Sequence, residues 1–357
     1  MPRALQELRI AECDLSSVLP QLHALIRFTN AGPQADALTL VKSISASSTL
    51  SLLPTCFGGL SALTVLDLTN CAELDSLPDS ICDLASLTTL RLCNFAGLTF
   101  LPDRISDLSA LRDLCLHTCP QLTALPQTMS NLTSLTHLEL ARVAVTSLPD
   151  RLGDLAALTK LSVRNCDVLM TVPDSIGTLG RLQSLSLRDL PIESLPRSLG
   201  GLEALTCLQV EYFSASHSLP DTIGDLHALT QLSLNECGLV ALPDSICRLS
   251  AVTKLSLTSC EQLVALPERL GDMRALTQLN LWYCMALTAL PDSICDLPSL
   301  MALEINTCTH LARLPDHIGK LTTLRKLDVT ACNELLDRAP DSLKWVNWWV
   351  EIEYDNW

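Results

Sequence analysis

The side chains best suited to chemistry in this 357-residue sequence are its sixteen cysteines and seven histidines. Cys93, Cys115 and His117 occupy matching outward positions of two predicted adjacent strands, with His137 one strand further. Thiolate and imidazole groups bind zinc, and an exposed thiol of low pKa is a nucleophile. A flat sheet is poor geometry for tetrahedral ligation, and no Cys-x-x-Cys motif supports it. We therefore predict no metal site and no cofactor.

Motifs and charge exclude several classes of function. The sequence contains no G-x-x-x-x-G-K-[ST] loop, no H-E-x-x-H or G-x-S-x-G motif and no kinase signature. Its net charge of −15 disfavours nucleic-acid binding. No stretch approaches 18 uninterrupted apolar residues, and the first residues form no secretory signal. We therefore expect a protein that is not an enzyme, binds no nucleic acid and has no membrane span.

Most cysteines recur at two fixed positions of a repeating frame. The first position holds Cys13, Cys71, Cys119, Cys166, Cys237, Cys260, Cys284, Cys308 and Cys332. The second holds Cys82, Cys247 and Cys295. Small thiols at repeated buried positions pack as hydrophobic residues. So many free thiols indicate a reducing compartment, and the predicted location is cytoplasmic.

The repeating frame is marked by a Leu-Pro dipeptide, with Val or Ala once each for Leu. Its prolines follow one another in steps of 23 to 25 residues: Pro54, Pro78, Pro102, Pro126, Pro149, Pro173, Pro196, Pro220, Pro243, Pro267, Pro291, Pro315 and Pro340. The consensus is L-x-x-L-x-L-x-x-C-x-x-L-x-x-L-P-D-x-I-x-x-L. The L-x-L step has the period of a strand with one buried face. Proline followed by an acid favours the start of a helical segment. Each copy is too small to bury its own core, so the copies must stack.

This frame resembles the leucine-rich repeat. Its Leu-Pro-[Asp/Glu] segment is similar to repeats of the intracellular Ras-suppressor type, including the plant intracellular Ras-group proteins. The Cys-containing form also resembles the repeat region of plant disease-resistance receptors. The resemblance implies an α/β solenoid, a leucine-rich repeat horseshoe of about 13–14 repeats of 23–24 residues. Parallel strands would line the concave face and short helical or 3₁₀ segments the convex face, and the concave face would bind a partner protein.

The frame predicts three regions along the chain. Residues 1–62 hold divergent repeats, with an irregular loop at 30–36, and residues 63–341 hold the regular repeats. Residues 342–357 carry Trp345, Trp348, Trp349 and Trp357. These rings would cap the open end of the stack; the alternative is an exposed aromatic docking patch.

Two groups of residues are predicted to bind the partner. Arg142, Lys160, Arg164 and Arg188 come from three successive repeats of a nearly neutral concave face. Clustered cations of this kind suit an anionic patch of a partner; the alternative is a solvated face balanced by nearby acids. Tyr212, Trp282 and Tyr283 are the second group, because exposed aromatic rings anchor interfaces. The alternative is that these rings pack flat over neighbouring strands.

The sequence thus predicts a monomeric, non-catalytic scaffold for protein–protein interaction in intracellular signalling. The Ras-group resemblance implies an adaptor for a small GTPase or kinase. Two alternatives remain. In the first, the chain would be the target-recognition module of a bacterial effector or ubiquitin ligase. In the second, it would be the repeat part of an intracellular immune receptor.

Overall fold

The computed structural model describes residues 7–10, 43–46, 53, 55–71, 74–213, 218–338 and 351–353. The predicted loop at 30–36 and the four C-terminal tryptophans lie outside these residues. The chain divides into two compact units, Met1–Arg181 and Leu182–Trp357, which are described separately. The regional boundaries at 62 and 341 remain predictions.

The described residues of the first unit form seven parallel strands, each paired with the next along the chain. They are β1 (Glu7–Ile10), β2 (Ser43–Ala46), β3 (Val65–Thr69), β4 (Thr89–Cys93), β5 (Asp113–Cys119), β6 (His137–Val143) and β7 (Lys160–Arg164). Its 3₁₀ segments are Thr55–Gly59, Asp79–Asp83, Asp103–Asp107, Gln127–Asn131, Leu152–Asp154 and Asp174–Thr178.

In the part of the second unit that the structure describes, eight parallel strands follow in the same consecutive order, with the helical segments given below. They are β8 (Ser184–Arg188), β9 (Cys207–Glu211), β10 (Gln231–Ser233), β11 (Lys254–Ser256), β12 (Gln278–Asn280), β13 (Ala302–Glu304), β14 (Lys326–Asp328) and β15 (Glu351–Glu353). The 3₁₀ segments are Arg197–Gly201, Asp221–Asp225, Asp244–Arg248, Leu270–Asp272, Asp292–Asp296 and Ile318–Lys320, and one helix, α1, spans Asn333–Arg338.

The leucines of the repeat hold the strands in register. Leu66 pairs with Leu90, and Leu90 with Leu114, each one repeat further along the chain. All three are buried, whereas the residues between the leucines of a strand face solvent. A slip of one residue would move every leucine to the wrong face, so the hydrophobic pattern fixes the register. We call the solvent-facing side of these strands the strand face.

The Leu-Pro dipeptide lies where each repeat leaves its strand side and enters its 3₁₀ segment. Pro78 has the extended angles φ −71° and ψ 148°, and its carbonyl accepts the N–H of Ile81 at 3.0 Å. The same bond joins Pro102 to Ile105 at 3.0 Å. Proline fits because its missing N–H has no helical partner at this position. The predicted short helical or 3₁₀ segments are therefore confirmed as 3₁₀.

Among the described residues, no helix is long and apolar enough to cross a membrane.

Candidate functional site

The three predicted basic residues of the first unit lie on two adjacent strands, β6 and β7. Arg164 ends β7 opposite Ala141, directly beside Arg142, and its guanidinium forms an ion pair with Glu139. Lys160 begins β7, so about 13 Å of strand separates it from Arg164. Arg142 and Lys160 are both exposed, and no described carboxylate lies within ion-pair distance of either. Arg142 and Arg164 therefore form a close pair, while Lys160 stands apart.

Arg188 belongs to the second unit and is surrounded by its own partners. Its Nε lies 3.5 Å from Oε2 of Glu211, and its guanidinium lies 5.1 Å from the centre of the Tyr212 ring. Hydrogen bonding to Tyr212 and the charge of Glu211 raise the pKa of Arg188. The structure thus brings Arg188 and Tyr212 together as a cation–π pair.

Trp282 and Tyr283 follow β12 and border a cavity of about 470 Å³. Their side chains are 48% and 37% exposed in a unit whose other large apolar residues are mostly buried. The backbone beneath them is fixed, because the N–H of Trp282 donates to Oδ1 of Asn280 at 2.9 Å and that of Tyr283 donates to the Asn306 carbonyl at 3.0 Å. Two large rings are therefore held towards solvent on a rigid strand exit.

One residue of each regular repeat has a left-handed backbone, a feature that the sequence analysis missed. These residues precede the inward position: Asn70, Asn94, Thr118, Arg142, Asn165, Asp189, Tyr212, Glu236, Ser259, Tyr283, Thr307 and Ala331. Asparagine tolerates this conformation, and its recurrence there was the available signal. Bulky residues pay a steric cost of roughly 1–2 kcal/mol. Arg142, Tyr212 and Tyr283, three predicted binding residues, occupy it, but the conformation recurs in every regular repeat and belongs to the repeat itself.

The outward cysteines lie where the spacing predicts. Cys93 pairs in register with His117, and Sγ of Cys115 lies 3.8 Å from Oε2 of Glu139. A hydrogen bond with Cys115 lowers the pKa of Cys93 to about 7, and the same contact raises that of Cys115. Among the described residues, no three His, Cys, Asp or Glu side chains are grouped so that they could hold a metal ion. Of the two thiols, Cys93 is therefore the more acidic.

The inward cysteines are chemically quiet. Cys237, Cys260, Cys284, Cys308 and Cys332 follow one another in successive repeats, each buried and hydrogen-bonded to a carbonyl of the preceding repeat. Burial raises the pKa of Cys260 to about 11 and that of Cys308 to about 12. Thiols this basic are inert at neutral pH, which agrees with a structural role.

Alkylation should distinguish Cys93 from the other described thiols. We expect iodoacetamide at pH 7.5 to modify Cys93 roughly three to ten times faster than Cys207, which is also half-exposed but whose pKa is raised by burial. The rate at Cys93 should rise with pH around a midpoint near 7. Peptide mass spectrometry after timed quenching measures both sites, and equal rates would contradict the assignment.

The comparisons with known proteins agree with this architecture. The family model described as "Leucine-rich repeat region" matches residues 150–255. A leucine-rich repeat protein of Leptospira interrogans is 26% identical, with 90% of this chain and 86% of that chain covered and a TM-score of 0.67. The leucine-rich repeat domain of the type III effector XopL is 27% identical, covering 61% and 76%, with a TM-score of 0.57. No curated protein matches at a significant level.

A further structure shares the fold alone. It is the functional domain of InlJ from Listeria monocytogenes, which includes a cysteine ladder. The identity is 17%, with 82% of this chain and 68% of that chain covered and a TM-score of 0.51.

Repeat, strand register and 3₁₀ segments thus define a leucine-rich repeat solenoid, which confirms the predicted α/β class. The described residues have the fold of leucine-rich repeat proteins, and residues 150–255 match that family's model. Folds of this kind support a protein-interaction scaffold, and the resemblance to Ras-suppressor-type and disease-resistance repeats stays a prediction.

Proposed function

We propose that this protein is a monomeric, non-catalytic scaffold that binds a partner protein through its strand face, the face predicted to be concave. The observation that carries the proposal is the pair of exposed rings, Trp282 and Tyr283, beside a cavity of about 470 Å³. Interface hot spots are enriched in Trp and Tyr that are held rigidly near a pocket.

The basic residues form a second part of the proposed interface. Arg142, Lys160 and Arg164 in the first unit, and Arg188 in the second, would meet an anionic patch of the partner. Arg164 and Arg188 already hold carboxylates, so the partner would have to displace them. Exposed ion pairs contribute about 0–1 kcal/mol, which a partner's carboxylate can match. The greater part of the affinity should therefore come from the aromatic residues.

The location we propose is the cytoplasm, in a signalling pathway. Its support is chemical: the fourteen cysteines whose side chains are described, from Cys71 to Cys332, are all free. Proteins of oxidising compartments rarely keep so many unpaired thiols.

Removing the Trp282 ring should weaken partner binding with little change in stability. We expect Trp282→Ala to lower recovery of the partner about tenfold, because the ring is an exposed anchor. The melting temperature should stay within about 2 °C of wild type, since exposed positions contribute little to folding. Affinity capture from a lysate of the source organism, read by quantitative mass spectrometry, measures the first effect and a thermal melt the second.

Val264→Ala is the matched control. Val264 is 46% exposed in the same unit but does not line the cavity, so partner recovery should be unchanged. A Trp282→Ala protein that melts much lower yet captures as well as wild type would show that the ring is structural and overturn the proposal.

A second candidate function is target recognition within a bacterial effector. The similarity to the repeat domain of a type III effector over 61% of this chain favours it. Such a module would recognise its target through the same strand face, with a catalytic domain elsewhere in the protein. Sequencing the gene on both sides of the region that encodes this chain distinguishes it from the plain scaffold.

A further inference from the structure

The cavity beside Trp282 combines aromatic rings with carboxylates. Besides Trp282 and Tyr283, its lining includes Glu236 and Glu261, and no arginine or lysine is among the described residues that line it. Both glutamates are exposed, so their carboxylates are free to turn into the cavity. Carboxylates attract a cation, and the faces of Trp and Tyr rings stabilise one that lies over them. The lining therefore suits a positively charged group.

Some carboxylates around the cavity have a described basic partner and others do not. Glu304 lies 3.5 Å from Nζ of Lys326, and Glu211 pairs with Arg188. No described basic group lies within ion-pair distance of Glu236 or Glu261, although the charge of Glu236 is felt at Arg188. These two carboxylates are therefore available to a ligand.

Three residues of the left-handed position that recurs in every regular repeat line the same wall. Glu236, Ser259 and Tyr283 are consecutive left-handed residues with φ of 53°, 57° and 65°, and all three line the cavity. Adjacent repeats place them about 5 Å apart, so Glu236 and Tyr283 stand about 10 Å from each other. That gap admits a planar group between a ring and a carboxylate.

We propose that this cavity binds an arginine side chain of the partner protein, an inference that rests on the proposed function and gives the partner its chemistry. The guanidinium would lie over the rings of Trp282 and Tyr283 and donate hydrogen bonds to Glu236 and Glu261. Arginine fits better than lysine because its flat, weakly hydrated head stacks on rings and forks towards carboxylates.

A pair of peptides that differ only in charge tests the assignment. The probe is a fluorescein-labelled peptide of alternating arginine and serine, and its control replaces each arginine with citrulline, which is uncharged and of nearly the same shape. Fluorescence anisotropy on the full chain should show the arginine peptide binding about tenfold more tightly. The double variant Glu236→Gln with Glu261→Gln should remove that preference and leave the citrulline peptide unaffected. Equal binding of the two peptides to wild-type protein would overturn the inference.

A second double variant separates the cavity from the general acidity of the chain. Glu193 and Glu203 are exposed in the same unit and do not line the cavity, so Glu193→Gln with Glu203→Gln makes the same change in net charge. It should bind the arginine peptide like wild type, and an equal loss would assign the preference to long-range attraction instead.

If Trp282→Ala abolishes partner capture while the two peptides bind alike, the scaffold stands and the arginine site falls. If wild-type protein prefers the arginine peptide but Trp282→Ala leaves partner capture unchanged, the arginine site stands and the proposed scaffold falls.

Discussion

Replacing Gly153 with valine is expected to destabilise the first unit by about 3 kcal/mol. Gly153 is buried in a 3₁₀ segment, and a Cβ there would lie 3.0 Å from the carbonyl carbon of Ser175 and overlap both its oxygen and the hydroxyl of Thr178. Two of these three atoms belong to the backbone of the next repeat, so no rotamer change removes the overlap. The repeats would have to move apart, which weakens the contacts of the leucines on either side.

A thermal melt followed by circular dichroism measures this effect. The loss should lower the melting temperature by about 10 °C, and Gly153→Ala should fall between valine and wild type. Gly180→Val is the matched control, because a Cβ at Gly180 meets no heavy atom within 4 Å and the residue is exposed. Similar melting temperatures for Gly153→Val and Gly180→Val would show that the repeats can separate freely at this position.

Gly153 also shows what the repeat pattern could and could not reveal. The corresponding position of other repeats holds Gly58, Cys82, Ser106, Ser130, Gly177, Gly200, Gly224, Cys247, Gly271, Cys295 and Gly319. The recurrence of three cysteines at this position predicts a packing role, which their burial confirms. The repeat pattern alone does not explain why every residue is small. The reason is the close approach of successive 3₁₀ segments, a distance that depends on three-dimensional stacking.

The strands were predictable for a simple reason, and the strand face was not. A leucine every second residue, repeated every 23 or 24, leaves one way to bury the apolar side chains, so fold and register follow from the spacing. Contacts on the strand face depend on which long side chains meet across repeats. The sequence placed Arg142 to Arg188 in one patch without showing that Arg164 would meet Glu139 and Arg188 would meet Glu211. It picked out Trp282 and Tyr283 because they are rare, but it could not show the cavity beside them.

The inward position before the Leu-Pro turn yields the second large prediction. We expect Phe95→Cys to cost about 3 kcal/mol, although cysteine is the consensus residue there. In the first unit this position holds Cys71, Phe95, Cys119, Val143 and Cys166 in order, all buried. Small and large side chains alternate, and Phe95 is fully buried between two thiols that are too small to fill the space that its ring would leave. The substitution therefore leaves a cavity, while Val143→Cys removes less volume and should cost about 1 kcal/mol.

Urea unfolding of the three proteins measures these differences, and the sign of the effect decides between two views of the repeat. If copies were interchangeable, the consensus cysteine would raise stability or leave it unchanged. If each position is shaped by its two neighbours, Phe95→Cys must lower it.

The second unit supplies the reciprocal case: Cys284 sits between Cys260 and Cys308 in an unbroken run of thiols, all fully buried. Large and small side chains do not alternate in this run, so nothing makes room for a phenyl ring. Cys284→Phe should therefore be destabilising through overpacking.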